Sequence, residues 1–180
     1  MQLAGEYVSL RPMKPDEVKL IHTWVNTPDI LPYWDGRIKT LDEVQADYTS
    51  VYFTDVDPYA GRCFAIEKEN IPIGMICYNQ IDRENRNVEF DVLIGDKQYW
   101  SQGLGSDALT IFIRYLFTNF SLNRIWLGTY SYNQRALRAY EKVGFRREGV
   151  LRESAFIDGK YVDTIVLSIL RREYKSIQGG

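Results

Sequence analysis

Two glycines one residue apart, Gly103-Leu104-Gly105, sit between a strand-like run and a strongly amphipathic segment. At such a turn the first N–H groups of the helix and its dipole form an anion site, and glycine removes the Cβ that would hold a phosphate away. The same glycines could serve only to turn the chain into the helix, and the turn alone leaves both readings open. The spacing Gly103-x-Gly105-x-x-Ala108 also fits the dinucleotide fingerprint. That fingerprint requires a parallel βαβ unit and an acid about twenty residues further on. Here the next strand ends in Gly128-Thr129-Tyr130-Ser131, without a carboxylate, and hairpins precede the motif. The context excludes a dinucleotide and favours a pyrophosphate on another carrier. Upstream, Glu89 and Asp91 alternate along one strand and therefore share a face, where a carboxylate can accept a proton. Downstream, Asn133 is suited to cap a helix that Gly144 would stop.

The remaining inventory narrows the chemistry. The 180 residues contain one histidine, His22, so a mechanism needing several imidazole ligands is excluded. A Ser–His–acid triad would have to use His22, around which nothing resembles a nucleophile site; it reads as a helix-surface or half-buried residue. Cys63 and Cys77 are too few and too far apart to suggest a zinc site or a disulfide framework, and they are expected to be reduced thiols. Lys plus Arg is 22 and Asp plus Glu is 24, a formal charge of −2. That balance argues against broad phosphate-backbone binding, so no nucleic-acid partner is expected. In the opening MQLAGEYVSLRP, Glu6 and Arg11 interrupt any apolar run, so no signal peptide is expected. No window approaches the roughly eighteen apolar residues of a membrane span. The reading is a cytoplasmic protein without a membrane partner.

The elements that must position these groups follow from periodicity. Tyr7–Leu10 reads as a strand ended by Pro12. Pro15-Asp16 opens a helix with Val18, Leu20, Ile21, Trp24 and Val25 on one face. An aromatic, turn-rich stretch from Pro28 to Gly36 follows. Thr40 and Glu43 form a capping box for a helix over Leu41–Ser50, and a loop extends to Gly61. Arg62–Lys68, Ile73–Asn79 and Val88–Ile94 read as an antiparallel meander. A helix then runs from the glycine turn to Phe120, followed by a strand Arg124–Gly128, a helix Asn133–Val143 and a strand Phe145–Leu151. Asp158-Gly159 turns the chain into a last strand, Tyr161–Leu170. The order predicts one α/β domain over residues 1–180 with a mixed sheet: a helical region at 7–60 and a sheet core at 62–170.

Two of these stretches carry a resemblance. Trp100-Ser101-Gln102-Gly103-Leu104-Gly105 is similar to the pyrophosphate loop of the GCN5-related N-acetyltransferases. Asn133 to Phe145 meets their helix signature N-x-x-A-x-x-x-Y-E-K-x-G-F. The element order matches that family over nearly the whole chain. The C-terminal run from Leu151 to Asp163 resembles the branch that includes ribosomal-protein alanine N-terminal acetyltransferases, together with polyamine acetylases. The resemblance implies a mostly antiparallel central sheet with one splayed strand pair, Val88–Ile94 and Arg124–Gly128, flanked by helices.

It also implies that acetyl-CoA is the cosubstrate, lying between the splayed strands, and that no metal is required. Backbone groups of Val92, Leu93 and Ile94 would pair with the pantetheine arm. Amides of Ser101, Gln102, Gly103, Leu104, Gly105 and Ser106 would hold the pyrophosphate, and Asn133 would touch the pantetheine. The family often has Arg or Gln where Trp100 stands and Lys or Arg where Gln102 stands; Lys142 or an arginine could compensate for the missing cation. The implied reaction is direct attack of a primary amine on the thioester in a ternary complex. Glu89 or Asp91 would take the ammonium proton, with the choice between them open, and Tyr140 would serve the departing sulfur. Tyr33 and Trp34, in the cluster Tyr33-Trp34-Asp35-Gly36-Arg37, would line the acceptor side or pack the helices. The acceptor is a protein N-terminus or a small-molecule amine, with an aminoglycoside (6′-N) or a polyamine as the alternative. A different class is a non-catalytic acyl-CoA-binding sensor, against which Asn133, Tyr140, Glu89 and Asp91 speak. The resemblance also admits a homodimer.

Overall fold

The computed structural model describes residues 2–48, 50–54 and 56–178. Eight strands form one sheet: β1 (Leu3–Ala4), β2 (Ser9–Pro12), β3 (Arg62–Lys68), β4 (Ile71–Tyr78), β5 (Asn87–Ile94), β6 (Arg124–Tyr130), β7 (Arg146–Ile157) and β8 (Lys160–Leu170). Their order across the sheet is β1-β2-β3-β4-β5-β6-β8-β7. Every neighbouring pair is antiparallel except β5 and β6. Five helices accompany it: α1 (Val18–Val25), α2 (Leu41–Asp47), α3 (Leu104–Asn119), α4 (Gln134–Lys142) and α5 (Arg171–Gln178).

The central strands are apolar at successive positions because both faces are covered. On one face Phe64, Ile66, Ile76, Tyr78, Val88 and Phe90 pack with Leu109, Phe112 and Leu116 of α3 and with Leu137 and Tyr140 of α4. On the other, Cys63, Ala65, Met75, Cys77 and Leu93 pack with Val18, Ile21, Trp24 and Val25 of α1 and with Val44 of α2. The alternation of β5 thus sends Val88 and Phe90 to the α3–α4 face, and Glu89, Asp91 and Leu93 to the α1–α2 face.

β5 and β6 are paired over only three residues, Asn87–Glu89 against Arg124–Trp126. Beyond that point β5 continues along β4 to Ile94, while β6 continues along β8 to Tyr130. The two strands part at their carboxyl ends. α3 follows the end of β5 and α4 follows the end of β6, so both helix N-termini open onto the gap, where α/β sheets bind ligands.

Several expectations change. β2 lies two residues later than Tyr7–Leu10 and includes Pro12, which edge pairing tolerates. The helix expected over Leu41–Ser50 ends at Asp47, a 3₁₀ turn follows at Ser50–Phe53, and Thr49 lies outside the described residues. The capping box is present: Thr40 Oγ1 accepts from the Glu43 N–H at 3.2 Å, and the Glu43 carboxylate accepts from the Thr40 N–H at 2.8 Å. β7 runs to Ile157 rather than Leu151, with register shifts at Arg147/Gly149 and Leu151/Ala155 that break its apolar alternation. The reading of the cysteines as unpaired thiols is overturned. Cys63 and Cys77 face each other across β3 and β4, with Cα atoms 4.1 Å apart, and form a disulfide. Fourteen residues of separation look long in sequence, but an antiparallel hairpin folds that distance to nothing.

Gly74 shows how tightly the β4–β5 seam is built. A Cβ there would lie 2.1 Å from the Leu93 carbonyl oxygen and 3.0 Å from the Ile94 Cα. Both obstacles are backbone and cannot swing aside. Gly74→Ala is therefore expected to destabilise the fold by about 2–4 kcal/mol, read as a lower denaturation midpoint in urea.

Candidate active site

The gap between β5 and β6 opens into a cleft of ≈ 400 Å³. One wall is the end of β5, Val92 to Ile94, and another is the glycine turn with the first residues of α3. The α4 wall is formed by Asn133, Arg135, Ala136, Arg138, Ala139, Tyr140 and Lys142, and Ile30, Tyr33 and Trp34 close the α1–α2 side. Of the residues expected to hold a coenzyme, all but Gln102 line this cleft. The Gln102 carboxamide turns away and donates to the Gln98 carbonyl.

Backbone direction along β5 can be read from its partners. Glu89 and Gly95 bond to β4 through Asn79 and Ile73. In an antiparallel pair such bonds fall on alternate residues, so Leu93 also spends its backbone groups on β4. Val92 and Ile94 point theirs into the cleft. The Ile94 carbonyl accepts the Trp100 indole N–H at 2.9 Å. Val92 offers both a donor and an acceptor, which is what an amide-bearing arm lying as a surrogate strand requires.

The glycine turn has the form of an anion nest. Ser101 and Gly103 have φ of 60° and 82°, and Gly103 stands at the N-cap of α3. Conformation rather than crowding selects glycine at 103, since a Cβ there would meet nothing within 4 Å. A Cβ on Gly105 would come only within 3.8 Å of Ile94. The turn therefore faces open space, and the Leu104, Gly105 and Ser106 amides lie in the helix's first turn, which has no internal acceptors. Asp107, also in that turn, has its charge taken up by the N–H groups of Glu6, Tyr7 and Val8 at 3.1, 2.7 and 2.9 Å.

The cation absent at Gln102 has counterparts on α4. Arg135, Arg138 and Lys142 follow one helical row along the cleft, and none forms an ion pair among the described residues. The Arg135 guanidinium lies 3.3 Å from the Trp100 ring centroid and 5.6 Å from that of Tyr33. Burial holds its pKa below the ordinary value. Helical spacing from Asn133 could have singled out this row; the stack on Trp100 could not have been read from sequence, because it joins two separate elements.

At the α1–α2 mouth, Tyr33 and Trp34 sit on the segment Leu31–Trp34. The Tyr130 hydroxyl donates to the Trp34 carbonyl at 3.0 Å, the Tyr132 hydroxyl donates to the Pro32 carbonyl, and Tyr33 and Tyr132 rings lie 5.6 Å apart. The end of β6 thus ties down the aromatic segment that forms the mouth.

Tyr140 reaches the cleft from the opposite face, 6% exposed and packed against Phe90 and Phe145 at ring distances of 6.4 and 6.0 Å. Burial first, then the charge of Asp91, pushes its phenol well above 10, against an opposing pull from Arg135. Glu89 and Asp91 do not line the cleft itself but stand beside it on the α1–α2 face, and neither forms an ion pair among the described residues. Desolvation raises the Glu89 carboxyl above its ordinary value. Asp91 keeps side-chain surface open to water while protein crowds its carboxyl; burial first, then Glu89, raises it to about 6. Of the two, it is the Asp91 charge that raises the Tyr140 phenol. The site therefore combines a carboxyl raised toward neutrality, a phenol that remains protonated and a turn of helix N-terminal amides facing open space.

These are the parts of an acyl-transfer enzyme. Residues 8–146 match the family model of the acetyltransferase (GNAT) domain. The chain belongs to the GNAT family and is an N-acetyltransferase by class. It is 26% identical over 167 residues to a spermidine N(1)-acetyltransferase of Escherichia coli, covering 93% of this chain and 88% of that one. A crystal structure of spermidine N-acetyltransferase from Vibrio cholerae in complex with CoA and spermine superposes with a TM-score of 0.81 at 27% identity, covering 94% of this chain and 98% of that one. A ribosomal-protein alpha-N-acetyltransferase in complex with coenzyme A reaches the same TM-score at 15% identity, over 94% and 98% of the two chains, a likeness of fold alone.

The raised pKa of Asp91 has a consequence for stability. The folded value of about 6 lies above the ordinary 3.8, so the fold holds this proton more tightly than the unfolded chain. The stabilisation is present at low pH and is lost as pH rises through about 4 to 6. Asp91→Asn is thus expected to raise Tm at pH 8 and to leave it unchanged near pH 4, measured by calorimetry.

Proposed function

We propose that this enzyme transfers the acetyl group of acetyl-CoA to a primary amine of a small polycationic acceptor of the polyamine class. The observation that carries this reading is the pair Glu89 and Asp91. Two carboxylates without a cationic partner among the described residues stand beside the cleft, near the phenols of Tyr48 and Tyr52. An uncompensated pair of this kind favours an acceptor that brings more than one ammonium. The spermidine acetyltransferases among the relatives support the same class. Both favour a polyamine over the protein N-terminus suggested by the C-terminal run.

Bound acetyl-CoA supplies an acyl thioester. The Val92 and Ile94 backbone, with Asn133, would hold its pantetheine arm. Amides from Ser101 to Ser106 would hold the pyrophosphate, with Arg135, Arg138 and Lys142 supplying charge that the turn lacks. Asp91, ionised above about pH 6, takes the proton of the incoming ammonium and leaves the free amine to attack the acyl carbon. Tyr140 hydrogen-bonds the sulfur as the carbon–sulfur bond breaks. A phenol held above 10 is a weaker acid than a thiol near 8.5, so Tyr140 stabilises the thiolate and keeps its own proton. Tyr33 and Trp34 line the acceptor approach.

Thiol release from acetyl-CoA, measured against spermidine, spermine, an aminoglycoside and an N-terminal peptide, tests the acceptor class: turnover is expected with the polyamines. Turnover confined to the peptide would overturn the class, and tight coenzyme binding without turnover on any acceptor would point to a sensor. Tyr140→Phe is expected to lower kcat by about ten- to a hundredfold with a much smaller change in KM for acetyl-CoA. An unchanged kcat would remove Tyr140 from the mechanism.

A further inference from the structure

Asn79, the residue after β4, carries no role in the site described so far. Its N–H donates to the Glu89 carbonyl at 3.0 Å, which continues the β4–β5 ladder one step beyond Tyr78. Cross-strand partners share a face, so the Asn79 side chain stands directly beside Glu89 and diagonally to Asp91. Asn79 Oδ1 accepts the Tyr52 hydroxyl proton at 3.1 Å. That bond fixes the sense of the carboxamide: its oxygen points to Tyr52 and its amino group, with two protons to donate, points to the carboxylates. The Asn79 amide beside them favours the ionised form of both carboxyls.

Tyr52 is itself held in place. Its ring meets Tyr48 edge-on at 6.1 Å, and it lies over Gly61, where a Cβ would come 2.9 Å from the Tyr52 Cε1. The groups facing the carboxylates from other elements supply no compensating charge. Asp35 raises Asp91 further, and Lys39 is held by Asp35 and Asp47. Tyr48, Tyr52, Tyr130 and Tyr140 are all phenols shifted upward. Two like charges in a partly desolvated site, without a cation, tend to take up a proton. The Asn79 amide is the neutral group that opposes this.

We propose that Asn79, oriented by Tyr52, is a positioning residue for acetyl transfer: it sets Glu89 and Asp91 side by side and keeps the pair ionised to receive the acceptor's proton. This rests on the reading of that pair as the proton acceptor. Transfer is direct, from the ammonium nitrogen to a carboxylate oxygen, and then to solvent.

The test is kcat/KM against pH for the wild type, Asn79→Leu, Asn79→Asp and Tyr52→Phe, all with acetyl-CoA and one polyamine, so that the ionisation of the acceptor is common to every profile. Loss of the Asn79 amide raises both carboxyls, so the ascending limb moves to higher pH. Asn79→Leu is expected to lose about three- to tenfold near pH 6 and to recover by about pH 9. Tyr52→Phe shifts the limb the same way by less. Asn79→Asp, of nearly the same shape, adds a third carboxylate and shifts it further, which decides the matter should Asn79→Leu fail to fold. An unmoved limb, or a loss equal at every pH, overturns the proposal. A Glu89→Gln, Asp91→Asn double variant that keeps the wild-type limb overturns the proton-acceptor reading instead.

Discussion

The structure depends on one interrupted pairing. Among the described residues β5 and β6 are the only parallel neighbours in the sheet, and they stay together for three residues before each follows its antiparallel partner. Because both strands end at the gap, the two helices that follow begin there. A helix start presents unpaired N–H groups and positive potential, so two of them converge on the one place where β5 has spare backbone groups. A continuous sheet would have buried Val92 and Ile94 in a ladder and left the glycine turn facing nothing.

The same gap solves a problem of sides. Strand alternation places Glu89 and Asp91 on the α1–α2 face, whereas Tyr140 belongs to the core under α3 and α4. Across an intact sheet these groups could not cooperate. Where the strands part, the Asp91 charge reaches Tyr140, which the proposed transfer between an amine from one face and a thioester from the other requires. The two groups are tuned by one cause, burial, with opposite uses: it brings a carboxyl up toward neutrality, and it takes a phenol further from it.

Stability and function trade places at this site. Among the described residues, Arg135, Arg138 and Lys142 line the cleft without counter-ions, and Glu89 and Asp91 stand beside it without a cation. Elsewhere the protein compensates its charges closely: Arg11 bridges Glu17 and Glu67 at 2.6 and 2.8 Å, and the Asp107 carboxylate takes three backbone N–H groups. In the proposed reading, the cations serve a phosphate carrier and the anions an amine, two ligands of opposite charge.

Much of this was legible in the residues themselves. The glycine spacing, the Asn133-to-Phe145 signature and the alternation of Glu89 with Asp91 marked the nest, α4 and the shared face, because each depends on local geometry with a fixed period. The capping box at Thr40 and Glu43 was legible for the same reason. The disulfide, the Trp100–Arg135 stack, the Tyr130 and Tyr132 ties and the Asn79 link to Tyr52 were not. Each joins positions from different elements, and their meeting depends on register and packing that no local pattern encodes. The sequence by itself determined the order of the elements from β2 to β8, the glycine turn and the family. Only the tertiary structure decided that Leu93 turns its backbone away from the cleft, that Gln102 leaves it and that the Asp91 charge bears on Tyr140, because strand direction and the point where β5 leaves β6 are properties of the whole sheet.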